Sequence, residues 1–425
     1  MMRIKIIFII FFISLFIINY SFGQNAWRPF NKKSIWNNKI PAGAKTDPNS
    51  QQLVDSLSIG GFYINIHDWS IPVYFVDSDT IPKVNVINSR PGIYGKGFKE
   101  PNHIPVLPNF IASPPVGKFS DNHLCIIDTN KMLEWDMWAA RKNKEGNWTT
   151  GLGAVTDLNS TGIEKPWFEQ KNEFDAHRSR AGGFPLIAGL IRPDEIKTGK
   201  IEHALVFAYQ RGRSEFFIPP ASTAQATVHE MNNKIGIPMG GRIQLDPSIN
   251  VDTLNLNLAG KIIAKALQEY GAFNGDYAGA AVLYADNSPS AIGQWKGILN
   301  KEDLLKVFTP EFIRKHFRVI NMGNLLPGQN LKGGQTGFYY FDFPGSVNVS
   351  INWLNSSISC YAADSVILSN ITPYFKTVRK NSIVTINNIK QESGKTIVDF
   401  SNEVAYKIHV PGGDSKNWTV RITKK

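Results

Sequence analysis

The chain has 425 residues, 42% of them hydrophobic and 12% aromatic, which supplies enough apolar side chain for a large core and a soft expectation of two domains. Only two cysteines occur, Cys125 and Cys360, which argues against a disulfide framework and excludes a zinc ribbon. The formal charge of +11 falls to +9 without Arg3 and Lys5, and the basic residues are scattered with no run of five, so no nucleic-acid partner is expected.

The first residues set the compartment. Arg3 and Lys5 precede an apolar run from Ile6 to Ile18, and Ser21-Phe-Gly-Gln24 offers a cleavage site. A run this short reads as a secretory signal peptide over residues 1–23 rather than a membrane span. No Cys follows the cut to carry a lipid, and no later stretch is long enough to cross a bilayer. The mature protein is expected to be secreted or periplasmic.

Trp27 to Ser50 holds two Trp and several turn formers, as in an arm pinned across a domain by its aromatics. Gln51–Ile59 reads as a short helix. Short β-type runs follow at Phe62–Ile66, Ile71–Val76 and Val84–Ile87, and then a Pro-rich passage leads to Val116. Asp121 to Trp138 reads as a β-hairpin. With a two-residue turn at Thr129-Asn130, Leu124, Ile126, Leu133, Trp135 and Met137 share an oily face. The other face carries Cys125, Glu134, Asp136 and Trp138, with His123 opposite Asp136, and reads as the floor of a cleft.

A polar loop spans Asn159 to Arg180 and closes on the glycine-rich, apolar run Ala181 to Pro193. Ile201–Tyr209, Gly240–Pro247 and Ala280–Ala285 read as strands. Thr253–Tyr270 contains the clearest helix and stops at Gly271, and Lys301–Val307 and Pro310–His316 read as short helices. Beyond the Gly333-Gly-Gln-Thr-Gly337 linker come regular β-runs and no helix signal. The expected fold is mainly β: a large antiparallel sandwich or jelly-roll-like domain with a few helices over residues 24–332, then a small Ig-like sandwich over 333–425.

Two resemblances add to this. Phe341-Asp-Phe-Pro-Gly345, Ile351–Ile358, Val398–Tyr406 and Asp414–Ile422 resemble Ig-like modules of secreted glycan-associated proteins of Bacteroidetes. That resemblance implies a spacer with no chemistry of its own. Ser34-Ile-Trp-Asn37, Asp47-Pro-Asn-Ser50, Gly183–Pro193, Gly240–Pro247 and Ala266–Ala272 resemble a family of exported bacterial proteins with no known activity to transfer, so function must be argued from residues.

Glu134 and Asp136, two apart on a strand, stand about 7 Å apart at Cα on one face, within reach of the carboxyl separations of retaining and inverting glycosidases. The pair is similar to the Glu-x-Asp-x-x-Glu strand of laminarinase- and lichenase-type glucanases, although the third acid is replaced by Ala139. His123 would be a general base oriented by Asp136, or else half of a structural cross-strand pair. The loop residues Asp175, His177, Arg178 and Arg180 would grip substrate, with His177 a second candidate base, or would only anchor the loop through an Arg–Asp bridge. Trp138, Trp148 and Trp167 offer faces on which sugar rings stack.

No zinc-protease, nucleophile-elbow, phosphate-loop or dinucleotide motif is present, and neither metal nor cofactor is expected. The reading is an exported, polysaccharide-degrading glycoside hydrolase using Glu134 and Asp136. The alternatives are a lyase on an acidic, uronate-bearing glycan, with a His base and Arg178 or Arg180 on the carboxylate, and a non-catalytic glycan-binding surface protein.

Overall fold

The computed structural model describes residues 27–91, 97–99, 101–113, 121–224, 235–287, 289–329, 331 and 334–425. The expected leader, the end of the Pro-rich passage at Val116 and Gly333 at the head of the linker lie outside the described residues. No described helix is long and apolar enough to cross a membrane.

The chain is mainly β with few helices, the class expected. The large domain is built on a six-stranded sheet in the order Phe62–Asn65, Ala281–Tyr284, Leu205–Ala208, Ala272–Asp276, Arg242–Leu245, Phe317–Val319. Its pairing is mixed: Phe62–Asn65 runs parallel to Ala281–Tyr284, and Leu205–Ala208 parallel to Ala272–Asp276, while the other neighbours are antiparallel. Short runs between turns look the same whichever way they pair, so this detail was not visible in the spacing.

Alternation along these strands separates two cores. Phe62, Ile64, Leu205, Phe207, Ala272 and Leu283 pack with Leu53, Ile263 and Leu267 of the helices Ser50–Leu57 and Leu258–Glu269. The longer helix starts on the Asn257 side chain, which accepts from the Gly260 N–H, and stops where Gly271 takes φ 66. Lys301–Val307, expected as a helix, is a run of turns.

The opposite face of the central sheet, with Val206, Ala208, Phe273, Val282 and Tyr284, packs toward a second sheet. That sheet has the order Val73–Phe75, Leu124–Asp128, Leu133–Trp138, Leu152–Asp157 and contributes Val73, Cys125 and Ile127. The outer side of the second sheet carries Leu124, Ile126, Trp135 and Met137 over a small core with Val86, Phe98, Val106 and Trp148. The layers are therefore helices, central sheet, hairpin sheet and an outer covering. Trp36 of the N-terminal arm is inserted between the two sheets, with edge contacts to Phe184 at 4.9 Å and Phe273 at 5.0 Å, as its aromatics led us to expect.

The C-terminal module has a six-stranded sheet and a two-stranded one, Phe338–Asp342 with Tyr374–Thr377. Phe338, Phe341, Trp353, Tyr406 and Trp418 form its aromatic core, with Trp353 and Trp418 in edge contact at 5.0 Å. It rests on the large domain where Tyr339 meets Phe168 at 4.6 Å and Arg379 lies over the Trp167 ring at 5.3 Å.

Candidate functional site

The hairpin forms, with a different turn. Cys125 pairs with Asp136 and Ile127 with Glu134, so His123 falls level with Trp138 instead of Asp136. The connection has four residues because Asp128 Oδ1 accepts from the N–H groups of Asn130 and Lys131, both at 2.9 Å, and Met132 sits at φ 53. A slip of two residues leaves every side chain on its expected face. The oily and acidic faces therefore stand, while the His123–Asp136 cross-strand pair does not.

The acidic face is not the floor of a cleft. Glu134 and Asp136 are both 0% exposed, covered by the segment Phe184–Ile191 that lies between the sheets. Glu134 Oε1 accepts the Ile187 N–H at 2.9 Å and the Cys125 thiol at 3.3 Å, and Asp136 Oδ2 accepts the Leu186 N–H at 2.9 Å. The oxygens left over, Glu134 Oε2 and Asp136 Oδ1, have no other donor. Burial pushes the Asp136 carboxyl well above the usual carboxylate range, the Glu134 charge adds to this, and the two carboxyls hydrogen-bond to each other. A proton shared between the two carboxyls would satisfy both leftover oxygens.

Cys125, Glu134 and Asp136 bring their donor atoms within 4.8 Å of one another, the arrangement of a small metal set. The residues fit a metal poorly. Their backbone and thiol hydrogen bonds already occupy one oxygen of each acid, and burial pushes the Cys125 thiol up, away from the thiolate a metal requires.

A second group of ionisable residues lies at the open end of the hairpin. Asn122 at φ 45 and Ala139 at φ 54 hold backbone conformations that L-residues rarely adopt. The Ala139 N–H donates to Asp121 O at 2.7 Å and the Ala140 N–H to Asn122 O at 3.0 Å, pinning this end closed. The Trp138 Nε1–H donates to Asp121 Oδ1 at 3.1 Å and fixes that carboxylate, and Arg90 lies over the Trp138 ring at 4.7 Å. His123 Nε2 meets the Ser179 carbonyl at 3.0 Å while its Nδ1 has no partner. Burial lowers the His123 pKa, with Arg180 acting in the same direction and Asp121 opposing.

The central sheet supplies the other half of this group. Its register shifts between Asn274 and Asp276, a bulge at Gly275 that sets Asp276 opposite Ala208, on the side facing the hairpin. Asp276 is half-buried, packed by protein yet reached by solvent. Its carboxyl is pushed up to about 7, first by burial and then by the charge of Asp121, against the pull of Arg180 and the N–H donors of Tyr277 and Ala181. Arg180 lies over the Tyr284 ring at 4.4 Å and donates to Leu186 O at 3.1 Å, which leaves its Nε and Nη1 unpartnered. Asp121, His123, Arg180, Asp276 and Tyr284 thus form one electrostatic unit with a partly exposed acidic mouth and a buried base.

Gly275 is the residue that permits this. A Cβ there would come within 2.6 Å of Val206 Cγ2 and 2.9 Å of Phe184. Gly275→Ala is expected to cost about 1–3 kcal/mol and to shift Asp276 away from its neighbours. Urea denaturation measures the first effect, and comparing the pH dependence of its unfolding with that of Asp276→Asn measures the second.

The other expected site residues divide. Arg180 belongs to this unit, and Trp138 borders it. Arg178 donates to Val155 O at 2.6 Å and pairs with Glu164, lending its charge to the buried acids, with half-buried His177 beside it. Asp175 pairs with Lys99 at 3.1 Å. Trp148, 6% exposed, lies in the outer core. Trp167, 3% exposed, donates to Pro327 O at 2.9 Å beneath the C-terminal module. Neither of these two rings presents a face to a sugar. Asp276 and Asp121 were missed; a Gly-Asp step inside the strand run after the helix Leu258–Glu269 was the available signal for a bulge.

Comparison with known proteins adds the following. Residues 338–422 match the family model described as SGBP, N-terminal, which agrees with the resemblance of the C-terminal segment to glycan-associated modules. No curated protein matches the chain. Among solved structures, a candidate glycoside hydrolase from Bacteroides thetaiotaomicron aligns at 21% identity over 22% of this chain and 26% of its own, with a TM-score of 0.18. A candidate secreted protein from Bacteroides fragilis aligns at 18% identity over 22% of this chain and 94% of its own, with a TM-score of 0.16. TM-scores this low carry no argument about the whole chain.

Proposed function

We propose that the protein is an exported, carbohydrate-active enzyme that hydrolyses a polysaccharide at the Asp121–Asp276 end of the inter-sheet layer. The observation that carries this reading is a solvent-reached carboxyl, Asp276, held protonated near neutral pH beside a second carboxylate that Trp138 orients. Glycoside hydrolysis needs such a pair. Asp276 donates its proton to the departing glycosidic oxygen as the C–O bond breaks. Asp121 acts on the opposite side, as nucleophile or as base for the incoming water. The Arg180 guanidinium beneath them keeps Asp276 from rising further and holds the negative charge left once it has given up its proton. Glu134 and Asp136, expected as the catalytic pair, become the buried support behind Arg180.

The lyase alternative is less well supported, since it needs a base within reach of the sugar. His123 is 2% exposed and its Nε2 faces the Ser179 carbonyl, which leaves half-buried His177 as the candidate base for that reading. A non-catalytic, glycan-binding surface protein is the second reading, and the family match of residues 338–422 favours it. A polysaccharide panel separates the three. A hydrolase releases reducing ends, a lyase releases unsaturated products that absorb in the ultraviolet, and a binder retards in a glycan gel without products.

Trp138 refines the test. Trp138→Phe keeps a stacking ring and loses the bond to Asp121, so kcat is expected to fall with KM held. Trp138→Ala is expected also to raise KM about tenfold, the stacking contribution of one ring. Equal kinetics for both variants and the parent would remove Trp138 from the site.

A further inference from the structure

We propose that the outer face of the strand pair Phe338–Asp342 and Tyr374–Thr377 is a second saccharide-contact surface, built from Tyr340 and Tyr374 and separate from the site of hydrolysis. The inference rests on the glycan-associated reading above but not on catalysis. It assigns a role to a module that the sequence resemblance implies is only a spacer.

The register makes the platform. Phe341 pairs with Phe375 and both point into the aromatic core, so their neighbours Tyr340, Asp342, Tyr374 and Lys376 point outward. Tyr340 lies opposite Lys376 and Tyr374 opposite Asp342, which makes the two tyrosines diagonal neighbours about 7–8 Å apart. They are 41% and 50% exposed. The two rings lie on one face of the strand pair, so a single ligand can meet both.

Both rings are held in place. The Tyr340 hydroxyl bonds Asp342 Oδ2 at 3.1 Å, and the Lys376 ammonium stands 5.5 Å from the Tyr340 ring centre. Asp342 is itself fixed by the Phe343 N–H at 2.8 Å and by the Ser346 hydroxyl. The Tyr374 ring rests on the turn at Gly394, φ 71, where an added Cβ would lie 2.5 Å from the ring, so one face is backed and the other is presented. Rings fixed in advance lose little conformational entropy on binding.

The chemistry selects the partner. A pyranose offers a C–H face to an aromatic ring and a rim of hydroxyls to polar groups around it. Tyrosines flanked by one carboxylate, one ammonium and two phenol hydroxyls match both surfaces. A protein partner would favour a continuous apolar patch, and these two rings are separated by charged side chains. Two rings on adjacent strands meet successive sugars of one chain, so the face suits a polymer better than a monosaccharide.

The test is native affinity electrophoresis of the full chain through gels containing laminarin, xyloglucan, arabinogalactan or polygalacturonate. Asp276→Asn serves as the background, so that turnover does not erode the gel. At least one polysaccharide is expected to retard it, and adding Tyr340→Ala with Tyr374→Ala is expected to weaken retardation at least tenfold. The corresponding double Phe variant should keep most of it. Tyr361→Ala, an exposed tyrosine on the other sheet of the module, should change nothing. Unchanged retardation in the double Ala variant overturns the inference, as does retardation by none of the four. Hydrolysis by the parent without retardation would uphold the enzyme reading and overturn this one.

Discussion

Asp276→Asn is expected to lower kcat by about 10²–10⁴-fold, the usual contribution of a positioned general acid, while the protein stays folded. The substitution is close to isosteric and keeps an acceptor for the Tyr277 and Ala181 N–H groups. It also has a signature in stability, which reports the titration of this carboxyl. The folded carboxyl titrates at about 7 against an ordinary value of 3.8, so between those pH values folding takes up a proton. The stability that Asp276 contributes is therefore complete at acidic pH and is lost as pH rises through about 7. Solvent at this half-buried position limits the change to about 2 kcal/mol. Thermal unfolding from pH 4 to 8 should show the parent losing stability across that window and Asp276→Asn flattened. Identical pH curves with an intact kcat would remove Asp276 from the mechanism.

The second large effect belongs to the buried pair. Asp136→Ala strips the Leu186 N–H of its acceptor and leaves the Glu134 carboxyl in a dry layer without its proton-sharing partner. Breaking such a buried pair costs about 3–5 kcal/mol. Asp136→Asn replaces the shared proton with a permanent amide donor to Glu134 and keeps an oxygen for Leu186, so it should cost less than about 1 kcal/mol. Both burial and the neighbouring Glu134 charge raise the Asp136 carboxyl, so the parent again loses stability as pH rises, and Asp136→Asn should lessen that loss. Urea denaturation of the two variants at neutral pH separates them. Equal losses would mean that the pair does not share a proton.

These two residues also show what the sequence could reveal. Alternation along Leu133–Trp138 sorted the hairpin faces correctly, because a strand period of two survives an error of two residues in the turn. It could not show how deep the acidic face lies. That depended on the Phe184–Ile191 segment folding over it, some fifty residues downstream. The apolar character of that segment was plain, but its destination was not. Trp148 and Trp167 were read as sugar platforms for the same reason: composition marks aromatic density, and only packing decides which rings stay open. Asp276 escaped notice because its position depends on a bulge and on a parallel pairing with Leu205–Ala208, with the strands Arg213–Phe217 and Arg242–Leu245 and the helix Leu258–Glu269 between them. Pairings such as Phe62–Asn65 with Ala281–Tyr284 leave no local trace in the chain. In the C-terminal module, by contrast, contacts are nearer in sequence and the β-pattern is regular, and there the resemblance and the structure agree.

The most direct test of the central claim is reducing-end release from the polysaccharide panel, followed from pH 4 to 9, for the parent and Asp276→Asn. Our account expects release by the parent that declines above about pH 7, as Asp276 loses the proton it must donate, and release at least a hundredfold lower in the variant. Unsaturated products, or a variant as active as the parent across that range, would contradict it.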